Sequence, residues 1–467
     1  MIRTGETICA PASGNGGAIA VIRVSGTESI AICSKIFFPS DIKIKLEEQK
    51  GYSIVYGEIR AGDDLIDEVL VSVFRAPHSY TGEDSIEISC HASKYIQQNI
   101  LELLIRKGAV AAQPGEFTQR AFLSGKMDLS QAEAVADLIA AESGKAHKIA
   151  ISQMRGTFSD EISVLRADLL HFASLIELEL DFGEEDIEFA DKNKLREIVL
   201  QVLSITKELV SSFSLGNAIK NGVPVVITGK TNTGKSTLLN LLLKDDKAIV
   251  SEIPGTTRDY IEDTIVIDGI LYRFIDTAGL RKSDDVIENF GIERTYKKIG
   301  EASIILMVAD VNEGLPTLEA TLEDLRRQQT GSDRKLMILI NKIDDDRNNK
   351  RNEYKGKSVL QDNEQMLFIS AKTGSGIDEL KLKLGELAGN EKVKDESIII
   401  TNIRHYDALL KVSESLERVL SGLDNKIPED LIAIDVRQAI HYLGEISGEI
   451  TTDEILGNIF KNFCIGK

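Results

Sequence analysis

The sequence predicts a multidomain α/β and α protein in which a small N-terminal α+β domain and a helical domain accompany an inserted α/β domain with a mostly parallel sheet. Three observations predict it. Residues 1–120 alternate β-type runs (Ala18 to Val24, Tyr52 to Ile59, Glu68 to Phe74, Ser85 to Ser89) with turn glycines and one helical stretch, Tyr95 to Lys107. Residues 121–215 and 391–467 carry helical periodicity, in Ile149 to Leu180, Lys194 to Phe213, Arg404 to Leu423 and Pro428 to Gly444. Between them, residues 216–390 alternate short β runs (Val225 to Thr228, Tyr272 to Ile275, Ser303 to Val308, Lys335 to Ile340, Met366 to Ile369) with helices. Gly216, after the Lys194 helix, reads as a C-terminal stop, and Thr451 or Thr452 as the cap of a last short helix supported by Asp453 and Glu454. An insertion of this kind is tolerated when a domain's termini lie close together.

Composition limits the partners. A chain of 467 residues exceeds one hydrophobic core and suggests about three domains. With 55 basic and 74 acidic side chains the net charge is −19, which argues against a broad basic face coating nucleic acid. Any RNA contact is then local or shared with a partner. Cys9, Cys33, Cys90 and Cys464 are scattered without a C-x-x-C pair, so neither a zinc site nor a disulfide framework is indicated, and a reducing, cytosolic compartment fits. No signal peptide is apparent in Met1 to Glu6, and no run reads as a membrane span of about 18 apolar residues.

The chemistry is concentrated between Gly229 and Lys372. Gly229-Lys-Thr-Asn232-Thr233-Gly234-Lys235-Ser236 fits G-x-x-x-x-G-K-[ST] and sits between a β run and the apolar helix that begins at Thr237. Backbone N–H groups of such a loop cradle phosphates, Lys235 reaches the β and γ oxygens, and the Ser236 hydroxyl ligates magnesium. Alone, the motif could be a chance turn. Gly255-Thr256-Thr257-Arg-Asp follows in a long loop, where Thr257 completes the magnesium shell only beside a γ-phosphate. Asp276-Thr277-Ala278-Gly279 ends the next strand, with Asp276 near the metal and the Gly279 N–H near the γ-phosphate. Asn341-Lys342-Ile-Asp344 follows a further strand, and the Asp344 carboxylate can accept from guanine N1–H and the 2-amino group, donors that adenine lacks. Ser370-Ala371-Lys372 offers a backbone N–H to guanine O6. Five motifs in this order read as a GTP hydrolase. Leu280 stands where small signalling GTPases carry the glutamine that orients water, so hydrolysis is arranged differently here.

These strings, with Phe463-Cys464-Ile465-Gly466-Lys467 at the end, resemble the bacterial tRNA-modifying GTPases of the MnmE, or TrmE, family, within the translation-factor-related class. The resemblance covers the whole chain and includes Ala18 to Gly26, Thr81 to Glu87 and Pro114 to Lys126. It implies an N-terminal tetrahydrofolate-binding and dimerisation domain, a helical domain, an inserted P-loop G domain and potassium-dependent GTP hydrolysis. It also implies a homodimer working with the FAD-dependent protein MnmG (GidA) to add an aminomethyl or carboxymethylaminomethyl group to C5 of the wobble uridine of certain tRNAs. The one-carbon donor would be 5-formyl- or 5,10-methylene-tetrahydrofolate.

Carried over residue by residue, Asn232, Ser251, Ile253 and Thr256 would hold potassium, a charge that does the work of an arginine finger. Glu252 and Pro254 complete the nucleotide-facing loop from Ser251 to Thr257. Glu288, twelve residues after Asp276, matches the family's catalytic glutamate and would position or deprotonate water. Without the resemblance it is one acid in an acidic segment. Arg23, Glu87, Lys126 and the terminal Lys467 correspond to folate-binding positions; without the resemblance, Arg23, Glu87 and Lys126 read as surface ion-pair partners. Asn15 replaces an arginine usual in the family, so no role is carried over to it. Cys464 reads either as a buried inert cysteine or as a thiolate acting beside the folate. The competing reading of the whole is a non-catalytic switch of the ribosome-assembly type, whose flanks only bind.

Overall fold

The computed structural model describes residues 5–14, 16–181, 192–245, 263–275, 302–328, 335–346, 350–355, 360–361, 364–388, 398–461 and 463–466. They form two compact units. The first comprises Met1–Ala140, Ala150–Thr206 and Ala408–Lys467, the second Ala141–Ile149 and Lys207–Asp407.

In the first unit, β1 (Ile8–Pro11), β2 (Ile19–Ser25), α1 (Ser29–Ser34), β3 (Phe37–Pro39), β4 (Ser53–Ala61), β5 (Asp64–Phe74), β6 (Ser85–His91), α2 (Lys94–Arg106) and β7 (Val110–Ala111) follow in order. The strands make one sheet, β3-β4-β5-β6-β2-β1-β7, antiparallel except for the parallel pair of β1 and β7. Strand periodicity sorts the side chains. Ala20, Ile22 and Val24 of β2 and Ile86, Ile88 and Cys90 of β6 turn to one face, where Ile100 and Leu104 of α2 join them in the core. The alternate residues Arg23 and Glu87 therefore share the other face, directly opposite one another in register. β1, β3 and β7 are short edge or near-edge strands that the hydrophobic pattern alone did not mark.

Helices α3 (Glu116–Leu123), α4 (Leu129–Ala140), α5 (Gly144–Met154) and α6 (Thr157–Asp181) follow. The helical run read from Ile149 to Leu180 is broken between α5 and α6, where Gly156 takes φ +95°, a conformation that side chains resist. Next come α7 (Lys192–Asn221), β8 (Val223–Thr228), α8 (Lys235–Asp245), β9 (Asp263–Ile267), β10 (Ile270–Phe274) and β11 (Ile304–Asp310). They lead into α9 (Leu315–Gln328), β12 (Lys335–Asn341), α10 (Arg351–Lys355), β13 (Glu364–Phe368) and α11 (Ile377–Leu387).

Here Gly216 corrects the sequence reading: it does not stop the helix. It lies inside α7, and a Cβ there would stand 1.9 Å from the Ile400 carbonyl oxygen, so glycine serves close packing. The stop is Gly222, at φ +76°. The α7 segment Asn193–Asn221 is also long and apolar enough by length and composition to cross a membrane, which the sequence reading overlooked. Its apolar residues Leu195, Val199, Val202, Leu209, Leu215 and Ile219 are buried in the protein, and their helical spacing is the stripe of a core helix.

The second unit holds the sheet β13-β12-β11-β8-β10-β9, parallel but for β9, which pairs antiparallel with β10. Successive strands depart to opposite sides of β8, making its carboxyl end the topological switch point where such sheets bind ligands. Finally α12 (Ile403–Asp424), α13 (Glu429–Ser447) and α14 (Asp453–Phe460) close the chain. Of the two proposed caps it is Thr452 that acts, its hydroxyl accepting from the Ile455 N–H at 3.3 Å. Within the first unit, α6 packs along α13, while Leu456 and Phe460 of α14 meet Leu129 and Ala132 of α4.

Candidate nucleotide and folate sites

The phosphate loop leaves β8 at Gly229 and enters α8 at Lys235. Two glycines shape it by close approach. Gly229 has φ +136° and a Cβ there would lie 2.1 Å from the Val308 carbonyl oxygen; Gly234 has φ +99° and a Cβ would lie 2.3 Å from Nδ2 of Asn341. Asn232 is itself left-handed, at φ 61°, a region asparagine tolerates better than most residues. Thr233 is buried and its hydroxyl donates to the Lys230 carbonyl at 3.0 Å. Lys235 Nζ donates to the carbonyls of Gly229 at 2.7 Å and Lys230 at 2.6 Å. Burial pushes its ammonium below the ordinary lysine range, partly offset by the Glu313 carboxylate. Phosphate oxygens are stronger acceptors than carbonyls for such an ammonium, so this cradle fits an anion. Ser236 and Thr237 occupy the first turn of α8, where N–H groups and the helix dipole favour negative charge.

Asn341 joins the phosphate loop to the base loops. Its Nδ2 donates to the Thr233 carbonyl at 2.8 Å, and its Oδ1 accepts from the Ala371 N–H at 2.9 Å, with the side chain 2% exposed. Asp344 is exposed and accepts from the Ser370 hydroxyl at 2.6 Å, which orients its carboxylate. Lys342 is left-handed at φ 66° and pairs with Asp310 at 2.7 Å. Lys372 is exposed at the same loop. The sequence-derived residues Asn232 to Thr237, Asn341, Lys342, Asp344 and Ser370 to Lys372 are thus gathered at the carboxyl ends of β8, β12 and β13. Ser251, Glu252, Ile253, Pro254, Gly255, Thr256, Thr257, Asp276, Thr277, Ala278, Gly279, Leu280 and Glu288 lie outside the described residues, as do Asn15 and Lys467.

On the N-terminal sheet Arg23 and Glu87 meet. Arg23 Nε donates to Glu87 Oε1 at 2.9 Å and its NH2 nitrogen lies 2.8 Å from the same oxygen. The guanidinium lies 5.2 Å from the Tyr80 ring centre and 5.6 Å from that of Phe117. Burial raises the Tyr80 phenol, opposed by its Thr118 hydrogen bond and the Arg23 charge. A charged fork and a carboxylate among aromatic rings suit a flat heterocycle bearing N–H and carbonyl groups. Lys126 stands by the Thr81 loop instead, its Cε 3.7 Å from where a Cβ of Gly82 would be.

The terminal segment reaches this face. Arg23 NH1 donates to the Gly466 carbonyl at 3.4 Å, and the Gly115 N–H donates to the Cys464 carbonyl at 3.3 Å. Gly466, at φ +94°, passes so close to β1 that a Cβ would lie 1.9 Å from the Pro11 carbonyl oxygen. Cys464 is exposed, which removes the buried, inert reading, whereas Cys9, Cys33 and Cys90 are buried. Sequence reasoning missed the support beneath. Buried Arg120 pairs with Glu116 at 3.0 Å and Glu83 at 3.1 Å, and Ser25 donates to Glu83 at 2.8 Å. Only the long Pro114 to Lys126 string, with its charges inside an amphipathic helix, signalled it.

Comparison with known proteins agrees with this layout. The family models for the GTP-binding protein TrmE N-terminus and for the MnmE helical domain match residues 7–126 and 129–464. The tRNA modification GTPase MnmE of Bacteroides thetaiotaomicron is 52% identical over 464 residues, covering 99% of both chains. That of Flavobacterium psychrophilum is 50% identical over 467 residues, again covering 99% of both. Among solved structures, a GTP-binding protein of Sulfolobus solfataricus in complex with GDP is 19% identical, covers 49% of this chain and 68% of that one, and has a TM-score of 0.28. This chain belongs to the MnmE, or TrmE, family of tRNA modification GTPases.

Proposed function

We propose that this chain hydrolyses GTP to drive modification of the wobble uridine in certain tRNAs, as a cytoplasmic homodimer acting with the FAD-dependent protein MnmG. The group added at C5 is aminomethyl or carboxymethylaminomethyl, with a 5-formyl- or 5,10-methylene-tetrahydrofolate as one-carbon donor. The observation that carries this reading is the hydrogen bond from Arg23 to the Gly466 carbonyl, which links the candidate folate pair to the segment bearing the exposed Cys464. A switch whose flanks only bind has no need of that link.

In the G domain, Lys235 binds the β and γ phosphates, Ser236 and Thr257 would hold magnesium, and Asp344 with a backbone N–H of the Ser370 to Lys372 loop reads guanine. Asn232, Ser251, Ile253 and Thr256 would hold potassium, whose charge would oppose that developing on the phosphates. Glu288 positions or deprotonates water in place of the absent glutamine. In the N-terminal domain, Arg23, Glu87, Lys126 and Lys467 orient the folate, which supplies the carbon when bound. Exposed Ile54, Tyr56 and Leu70 on the sheet favour a self-contact.

The test is mass spectrometry of wobble uridines in tRNA from cells carrying wild type or Cys464→Ser, beside GTP turnover of both proteins in potassium and in sodium. Modification lost with turnover kept, and turnover slowed in sodium, are expected. Full modification by Cys464→Ser overturns the catalytic reading of the flanks, and equal rates in both salts overturn the potassium assignment.

A further inference from the structure

Beyond the five nucleotide motifs, the turn after β11 meets the guanine loop at two points. Asp310 Oδ2 lies 2.7 Å from Lys342 Nζ, and Asn312 Nδ2 donates to the Asp345 carbonyl at 3.0 Å. The turn is itself tied by hydrogen bonds. Asp310 Oδ1 accepts from the Asn312 N–H at 2.9 Å, Lys350 Nζ donates to the Asn312 carbonyl at 2.7 Å, and the Tyr354 hydroxyl donates to the Val311 carbonyl at 3.2 Å. Lys342, by contrast, sits in a left-handed backbone conformation that a lysine does not favour. Something must hold it.

We infer that Asp310 is a positioning residue for guanine-nucleotide binding, which acts through Lys342 by anchoring its ammonium so that the base loop keeps one conformation. This rests on the reading of Asn341 to Asp344 as the base loop. The carboxylate side chain is 17% exposed and the lysine 36%, so the pair is partly shielded from water. Burial opposes ionisation of Asp310, yet the hydrogen bond from Lys342, that from the Asn312 N–H and the Lys342 charge outweigh it and hold the carboxyl below its ordinary range. An ammonium pinned to Asp310 fixes the far end of the lysine side chain, whose four-carbon stem offers an apolar surface against which a flat base can lie. Since GDP and GTP share the base, Asp310 serves both equally. Asp310 ends β11, the strand before the one that leads into the base-loop motif, which is why no motif reading reaches it.

A double-mutant cycle on the full chain tests this, with GDP and GTP affinity measured by titration calorimetry and hydrolysis by steady-state kinetics. Asp310→Asn keeps the acceptor for the Asn312 N–H but loses the charge. It is expected to weaken GDP and GTP alike by about tenfold and to raise KM with kcat nearly kept. Lys342→Ala is expected to weaken both nucleotides, and the double variant to be no weaker than Lys342→Ala alone. Additive losses, or wild-type affinity in Asp310→Asn, overturn the inference. Undiminished affinity in Lys342→Ala overturns the base-loop reading, and the inference with it. Asp310→Ser, whose hydroxyl can also cap the turn, carries the same expectations if Asp310→Asn does not fold.

Discussion

Cysteine reactivity separates the four thiols more sharply than their spacing did. Burial raises Cys9 and Cys90 to about 11 and Cys33 further still, so none of them offers a thiolate near neutrality. Cys464 is exposed. A thiol reagent is expected to label one cysteine in the native protein at pH 8 and none in Cys464→Ser, read by intact mass; labelling of Cys9 or Cys90 in the folded state would contradict the described core. The same burial has a pH consequence. Because the folded thiols titrate above the ordinary thiol value of 9.0, the stability they supply is full below pH 9 and is lost as pH rises through about 11. At this scale the gathering of Lys235, Asn341 and Asp344 at one end of the sheet was legible, since each belongs to a motif that directly follows a strand. Glu83, Glu116, Arg120 and Asp310 were not, because their partners are set by the fold and not by neighbours in the chain.

Elements were legible where local chemistry decides them. Strands β2, β4, β5 and β6 alternate buried and more exposed side chains over most of their length, and the cap was legible as Thr451 or Thr452, of which the fold uses Thr452. Glycines misled the reading because one residue type serves two purposes. Gly222 ends α7 by its left-handed backbone, whereas Gly216 lets α7 lie against the Ile400 carbonyl. Only the folded neighbour distinguishes them. The terminal segment gives the sharpest test of an element. Gly466→Ala is strained both by φ +94° and by the Pro11 carbonyl, so the segment must leave its seat on β1. Wobble-uridine modification is expected to be lost, with GTP turnover kept and the unfolding midpoint little changed. Retained modification would show that this seating is dispensable.

For the molecule as a whole, the G-domain boundary read at residue 216 falls within a helix and divides a core. Leu215 and Ile219 of α7 are buried with Val225, Leu239, Tyr272 and Leu306, and Ala146, Ile149 and Ile399 pack against that cluster. A fragment spanning residues 207–407 is therefore expected to resist urea better than one spanning 216–390, by at least about 2 kcal/mol, the cost of deleting one buried leucine. Equal midpoints would mean that the helix end contributes nothing. The insertion was visible in the change of periodicity, but its seam was not, because a helix that ends inside another core keeps one unbroken pattern. The bond between Arg23 and Gly466 spans 443 residues. At typical elongation rates a ribosome needs roughly 20 to 90 s to make that stretch. The N-terminal sheet, whose strands all lie within the first 111 residues, can pair long before its arginine meets the glycine. A nascent chain released after Asp407 but before Cys464 would then carry a finished sheet and a finished GTP-binding unit, with the thiol end of the apparatus still unmade.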